Sequence, residues 1–252
     1  MTGLNASDSE VCYVYGVTFE DTKLPDGLPG IGGRPVELVR DGRLGAIVTG
    51  LGAEERIGRR EQLLAHSQVL DAVAEVAPVV PLRFGTMVTG RSEAAAQILD
   101  AAQDHLIGLL ESVRGRSQFT LHARYEEDQV LREIVADDPQ IAELSRQTRD
   151  APDDTTLNAR LRLGELVAAA FERKREADVP VVLGPIAEHA VAHSIRTGAN
   201  SPDRLADAAF LVDDERRGEF DRAAEGVARA LAGRVRLKLV GPTAPYDFVT
   251  EI

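Results

Sequence analysis

The sequence is poor in cysteine, in aromatic residues and in long apolar runs. Its 252 residues include one cysteine, two methionines and no tryptophan, and aromatic side chains make up 4%. A single cysteine, Cys12, excludes an intramolecular disulfide and a cysteine-rich metal site. No stretch of about 18 consecutive apolar residues occurs, so the sequence predicts no membrane-spanning helix. The apolar alternation around Cys12 favours a buried structural thiol.

Positive charge is also scarce. The chain carries 29 basic and 41 acidic residues, which give a formal net charge of −12 and a pI near 4.9. This balance disfavours broad capture of nucleic acid or of an anionic membrane, and neither is a predicted partner. The opening MTGLNASDSE lacks the basic and apolar regions of a secretory signal, so we expect a cytoplasmic protein.

The first half of the chain predicts a mainly antiparallel sheet with helices on one side. Residues 11–18 are rich in β-branched and aromatic side chains, and the glycine-rich segment after them predicts a loop. The dipeptide Asp41-Gly42 between two apolar runs predicts a hairpin with a type I′ turn. The other predicted elements are a helix over 57–77, a strand over 78–88, a helix capped by Ser92 and ended by Gly115, and a strand over 117–125.

The second half predicts helices followed by a strand, a helix and a strand. Asp138 and Pro139 are typical of a helix cap and first helical position. The segment over 186–196 predicts a helix, and the last two strands lie at ADAAFLV and RVRLKLV. A longer helix ending near Asp178 is marked by residues at helical spacing, namely Leu157, Leu161, Gly164, Ala168 and Phe171.

These elements predict an α+β fold in two domains. Residues 1–125 form an N-terminal α+β sandwich, and residues 126–252 form a C-terminal α+β domain with additional helices. The second domain closes with a docking tail over 241–252.

Motifs for catalysis and for cofactor binding are missing. The glycine-rich GLPGIGGRP has neither GxGxxG spacing nor the GK[ST] of a phosphate loop. His189 and His193, four residues apart beside Glu188, are the best metal candidate, but the order HExxH and a third ligand are missing. We therefore predict no catalytic residue, no cofactor and no metal.

The segment PVVPLRFGTMV places one arginine in an otherwise apolar predicted strand. A strand's two-residue period puts Arg83 and Gly85 on the face opposite Phe84. A buried guanidinium there needs a partner, because an unpaired buried charge is strongly destabilising. Gly85 leaves room for another segment to approach. These three residues are candidates for a structural or interaction role.

The terminal stretch VGPTAPYDFV is unusually rigid for a chain end. Pro242 ends a strand, and Pro245 keeps the next residues extended, so that Tyr246 and Phe248 point to one side. Such a segment loses little entropy on docking, and its aromatic rings supply contact area. We predict that it folds back on the N-terminal half near the Arg83 strand.

The last predicted strand has a basic face formed by Arg234, Arg236 and Lys238. Two interpretations remain open, because a row of cations fits either a solvated sheet face or a docking surface for an acidic partner.

Five segments resemble the gas vesicle protein GvpF/GvpL family, in family order and across nearly the whole chain. They are YVYGV, PLRFGTMV, LGELVAAAFERKR, AAFLVDDE and GPTAPYDFV. The resemblance implies two α+β domains, the C-terminal one ferredoxin-like. It implies a non-enzymatic accessory protein of gas vesicles, the gas-filled shells that give cells buoyancy. Many relatives have an aromatic residue and a proline where this chain has Thr243 and Ala244, so the F or L subtype stays open.

The resemblance also implies partners, namely the small apolar wall subunit GvpA and other accessory Gvp proteins. Such a protein would chaperone the wall subunit or nucleate the shell, through an open strand edge or through a groove for an amphipathic helix. One alternative is a ferredoxin-like regulatory protein that binds a small ligand. Another is a hydrolase that uses Glu188, His189 and His193.

Overall fold

The chain folds as two compact units, each with its own sheet and helices. In the computed structural model, Met1–Phe119 and Gly241–Ile252 make up the first unit, and Thr120–Val240 make up the second. The predicted α+β class is confirmed. The residues that the structure describes are 11–52, 56–90, 98–99, 102–149, 153–196, 201 and 203–249.

The first unit is built on a five-stranded antiparallel sheet. Its strands are β1 (Val11–Phe19), β2 (Glu37–Asp41), β3 (Leu44–Leu51), β4 (Val80–Pro81) and β5 (Met87–Thr89). The order is β2-β3-β1-β4, and β5 also pairs with β1. β1 is buried along nearly its whole length, which explains why its side chains are apolar on both faces.

Helices cover both faces of this sheet rather than the single side that the sequence predicted. The two helices with described bounds in this unit are α1 (Arg60–Ala74) and α2 (Gln103–Ser112). Tyr13 of β1 and Leu70 of α1 belong to one core cluster, whereas Val14 and Leu106 of α2 belong to the other. Neighbouring residues of a strand point to opposite faces, so β1 is the middle layer of three.

Among the described residues, the second unit contains a four-stranded sheet and four α-helices. Its strands are β6 (Arg116–Tyr125), whose first residues belong to the first unit, β7 (Ala192–Ile195), β8 (Arg204–Asp213) and β9 (Val235–Thr243). Its helices are α3 (Glu127–Asp137), α4 (Pro139–Arg149), α5 (Asp153–Ala187) and α6 (Arg217–Ala230). The strand order β7-β8-β6-β9, with helices after β6 and β8, is the ferredoxin-like arrangement.

Several predicted elements of the second unit need correction. The helix predicted to end near Asp178 continues through Pro180 and Pro185 to the end of α5, because Leu183 and Ile186 are buried beyond that point. The helix predicted over 186–196 is a turn followed by β7, which pairs antiparallel with β8. The cap at Asp138 is confirmed, since its Oδ1 accepts the Gln140 amide at 3.0 Å.

In the first unit, the strand predicted over 78–88 is two short strands joined by a turn. Gly85 has a φ of 95°, which side-chain-bearing residues rarely adopt, so extended geometry stops there. The hairpin at Gly42 is present, but Arg43 has no positive φ, so a type I′ turn is wrong. Ser92 and the start of its predicted helix lie outside the described residues.

None of the described helices combines the length and apolarity needed to cross a bilayer.

Candidate interaction surfaces

A buried tyrosine and histidine hold the turn between β4 and β5. The Gly85 amide donates to the Tyr13 hydroxyl at 3.2 Å, and that hydroxyl lies 2.8 Å from His66 Nδ1. Both side chains are almost fully buried, and the Phe84 ring lies edge-on to His66 with centroids 5.7 Å apart. The turn is therefore held by a side chain of β1, Tyr13, which in turn contacts a side chain of α1, His66.

Burial sets the protonation of this pair. It lowers the pKa of His66 to about 4, and a hydrogen bond with the Leu82 backbone only partly opposes the shift. Burial likewise raises the pKa of Tyr13 to about 12. The histidine is thus neutral near physiological pH, and in the tautomer protonated at Nε2 its Nδ1 accepts the hydroxyl proton of Tyr13.

Arg83 stands at the surface of this turn, and not in a buried strand as predicted. Its side chain is exposed, while its carbonyl accepts the Thr86 amide at 3.1 Å and the Thr86 hydroxyl at 2.7 Å. Phe84 is half-buried against the core. A Cβ on Gly85 would have no atom within 4 Å, so the glycine serves the turn conformation and not a close approach.

The terminal segment lies against α1 and the start of β6. The Ala244 amide donates to Asp71 Oδ1 at 2.8 Å, and burial raises the pKa of that carboxyl. Asp247 and Gln118 exchange two hydrogen bonds, from the Asp247 amide to Gln118 Oε1 at 2.9 Å and from Gln118 Nε2 to Asp247 Oδ2 at 2.7 Å. Tyr246 packs on the cluster that also contains Tyr13.

The sequence predicted an extended tail after Pro245, and this prediction is wrong. Residues Tyr246–Phe248 form a short 3-10 helix, so Tyr246 and Phe248 do not share one side of a strand. Burial first, and then the nearby Asp71 carboxylate, raise the pKa of Tyr246. Pro242 follows a cis peptide bond and is half-buried, Pro245 is buried, and Phe248 is half-buried.

Arg234 is part of an ion-pair network inside the second unit. Its Nε lies 3.0 Å from both Glu133 oxygens, and Nη2 donates to Asp178 Oδ2 at 2.7 Å. Asp178 also accepts the Tyr125 hydroxyl at 2.7 Å. The network joins α3, α5 and the start of β9, so this arginine holds the unit together.

The other two cations of the basic face differ from Arg234. Arg236 Nε lies 3.2 Å from Glu126 Oε1, and both side chains are largely exposed. Lys238 is exposed on the same strand. β9 ends the sheet opposite β7, so these side chains occupy an edge strand.

The histidine pair does not form a metal site. His189 lies in the turn after α5, whereas His193 lies on β7 and stacks on Phe210 with ring centroids 6.0 Å apart. The predicted helix that would have aligned them is a strand. In the described part of the chain, no group of three or more His, Cys, Asp or Glu side chains is placed to hold a metal ion.

Sequence reasoning missed β7 as an exposed strand edge. β7 ends the second sheet, and its sequence AHSI contains no charged residue. Ile195 and the preceding Val191 are 51% and 45% exposed. Burial alternates along β7, but the residue types of AHSI do not, so the local sequence carried no strand pattern.

The fold is that of solved gas vesicle proteins. A crystal structure of GvpF from Anabaena sp. PCC7120 matches with a TM-score of 0.77 at 20% identity, covering 97% of this chain and 98% of that one. GvpF from Microcystis aeruginosa matches with a TM-score of 0.76 at 21% identity, covering 96% and 100%.

The sequence then gives the family. A family model described as gas vesicle synthesis protein GvpL/GvpF matches residues 11–250. Gas vesicle protein F of Streptomyces sp. (strain CB03234) is 33% identical over 240 residues, which cover 94% of this chain and 98% of that protein. Gas vesicle protein L of the same strain is 29% identical over 263 residues, covering 96% and 94%. The chain belongs to the GvpL/GvpF family of gas vesicle synthesis proteins.

Proposed function

We propose that this chain is a non-enzymatic accessory protein of gas vesicle assembly. It binds the small apolar wall subunit GvpA and other accessory Gvp proteins, and it chaperones the wall subunit or nucleates the shell. The observation that carries this proposal is the match of the GvpL/GvpF family model to residues 11–250. Its place of action is the cytoplasm, at the gas vesicle.

The edge of β7 is the docking position that we propose for the wall subunit. Charged side chains on an edge strand discourage pairing with another chain, and Arg236 and Lys238 protect β9 in this way. β2, the edge of the first sheet, carries Arg40 and Asp41. β7 has no such protection, and its exposed Ile195 suits an apolar strand.

Backbone geometry indicates which groups would bind. The Arg196 amide donates to the Asp207 carbonyl of β8 at 2.8 Å. Successive amides of a strand point to opposite sides, so the Ile195 amide points away from β8 and towards the free edge. An added strand would accept a hydrogen bond from that amide.

Co-expression with the tagged wall subunit tests the proposal. The unmodified chain is expected to co-purify, and Ile195→Pro, which removes the outward amide, is expected to abolish co-purification without unfolding the protein. Ile195→Val keeps the amide and is the matched control. Equal capture of Ile195→Pro would reject the β7 edge. No capture of the unmodified chain, together with normal vesicles after gene deletion, would reject the function.

A further inference from the structure

The first half of α5 exposes residues that are typical of a helix interface. Leu157 and Leu161 are 62% and 60% exposed, and Gly164 and Ala168 are exposed as well. The sequence predicted a helix through these four residues and Phe171, and that helix is present. Only Phe171 is buried, where it packs near Tyr125. The other four residues therefore form an exposed stripe on the helix within the chain itself.

Their spacing is that of a two-stranded coiled coil. Positions 157, 161, 164 and 168 are separated by four, three and four residues, which is the alternation of the two core positions of a heptad. Glycine destabilises a helix interior, so the presence of Gly164 in α5 calls for a structural explanation. A Cβ there would have no atom within 4 Å, so the chain's own packing does not require glycine. A second helix that approaches closely would explain it.

The charges beside this stripe are complementary to those of an identical helix. Arg160 lies on one side of the stripe and Glu165, five residues later, lies on the other. In a parallel coiled coil, residues at these two positions face each other across the two helices. An antiparallel pair in the same register would pair each of these heptad positions with its own kind, so Arg160 and Glu165 would not face each other.

The hydrogen bonds of these residues within one chain are compatible with such a pairing. Arg160 donates from Nε to the Thr156 hydroxyl at 3.0 Å and from Nη2 to the Thr148 carbonyl at 3.2 Å. Glu165 accepts from Arg162 at 3.2 Å, in a pair with both side chains largely exposed. A guanidinium has five donors and a carboxylate has several acceptor positions, so an intrachain hydrogen bond does not exclude an additional partner.

We propose that the stripe of Leu157, Leu161, Gly164 and Ala168 pairs with the same stripe of a second copy as a short parallel coiled coil. This dimer goes beyond the proposed function, because its surface on α5 is separate from the β7 edge. Substitutions can therefore remove either surface while leaving the other intact.

Sedimentation equilibrium from about 1 µM to about 200 µM tests the dimer, since weak association depends on concentration. The unmodified chain is expected to form dimers within this range, and Leu157→Glu/Leu161→Glu is expected to stay monomeric. Leu64→Glu, at a leucine of α1 that is 53% exposed, is the matched control and is expected to dimerise. An unmodified chain that stays monomeric, or a double variant that still dimerises, would overturn the proposal.

Cross-linking tests the parallel arrangement. Cys12 is fully buried, so a thiol introduced by Leu157→Cys is the reactive one under mild oxidation. A parallel dimer is expected to cross-link with this single variant. Cross-linking that requires a mixture of Leu157→Cys and Ala168→Cys chains would show an antiparallel pair and overturn the proposal.

Charge exchange supplies an independent readout. Arg160→Glu is expected to weaken dimerisation by about fivefold, because glutamates then face each other across the helices. Arg160→Glu/Glu165→Arg restores opposite charges and is expected to restore the affinity. A double variant as weak as the single one would argue against this pairing.

Discussion

Tyr13 has a role in the first unit that no single motif reveals. Its hydroxyl accepts a hydrogen bond from the Gly85 amide and lies 2.8 Å from His66 Nδ1. One buried group therefore connects β1, α1 and the turn that carries Arg83. Buried polar groups of this kind stabilise a single arrangement only while each one has a partner. The exposed arginine is consequently presented on a turn whose backbone is fixed.

Tyr13→Phe should destabilise the protein by about 1–3 kcal/mol, because the Gly85 amide and His66 Nδ1 both lose a buried partner. Urea unfolding followed by circular dichroism measures this loss. Thr86→Val is the control. It removes an exposed hydrogen bond of the same turn, so the free energy of unfolding is expected to fall by about 0.5 kcal/mol or less. Equal losses of unfolding free energy for the two variants would show that the buried hydrogen bonds stabilise the protein no more than the exposed one.

The pH dependence of stability should carry a signature of His66. Its folded-state pKa of about 4 lies below the ordinary value of 6.5, so the unfolded chain binds more protons between these values. The contribution of His66 to stability is complete above pH 6.5 and is lost as the pH falls towards 4. Carboxylates titrate nearby, so the informative quantity is the difference between the unmodified chain and His66→Gln.

Glutamine keeps an acceptor for the Tyr13 hydroxyl but does not titrate in this range. The free energy of unfolding of His66→Gln is therefore expected to vary less between pH 6.5 and pH 4. Parallel pH profiles for the two proteins would contradict a neutral buried histidine.

At the scale of elements, local sequence predicted the strands and helices whose pattern is complete in itself. β1 and β6 were predicted almost to the residue, because both are rich in β-branched and aromatic residues and mostly buried. β7 was predicted as a helix, since its pairing with β8 depends on distant residues. The continuation of α5 past Pro180 likewise depends on burial of Ile186 in the folded unit.

The terminal segment is tied to α1 by one hydrogen bond that can be removed. Asp71→Ala leaves the Ala244 amide without its acceptor and should lower stability by about 1–3 kcal/mol. Limited proteolysis should then cut the terminal segment faster. Asp71→Asn keeps Oδ1 as an acceptor and is the matched control. Unchanged melting and unchanged proteolysis in Asp71→Ala would show that the segment is held by its packing alone.

At the scale of the whole molecule, the sequence did not predict what its candidate residues contact. Arg83, Tyr246 and Arg234 all occupy defined positions, but their partners come from elsewhere in the chain. Arg234 is the clearest case, because Glu133 and Asp178 are more than fifty residues away and no spacing rule connects them. Its predicted alternatives were a solvated face or a docking surface, and the structure shows an internal network.

The net charge of −12 should govern the solubility of the protein. Near the pI of about 4.9 the net charge vanishes, and mutual repulsion between molecules is lost. Turbidity measured across a pH series should therefore be greatest near pH 4.9 and should fall on both sides. Leu157→Glu/Leu161→Glu should shift this maximum to slightly lower pH, because it adds two acidic groups. A maximum well away from the pI would show that apolar patches, rather than charge, limit solubility.

The division of the chain into units has a consequence for protein synthesis. Ala244 and Val249 are buried in the two core clusters of the first unit, yet the ribosome adds them only after the whole second unit. Nascent domains ordinarily fold in order from the N-terminus. Here the first unit lacks part of its core until the second unit has been synthesised, so a chain that stops before residue 244 is left with an incomplete N-terminal core.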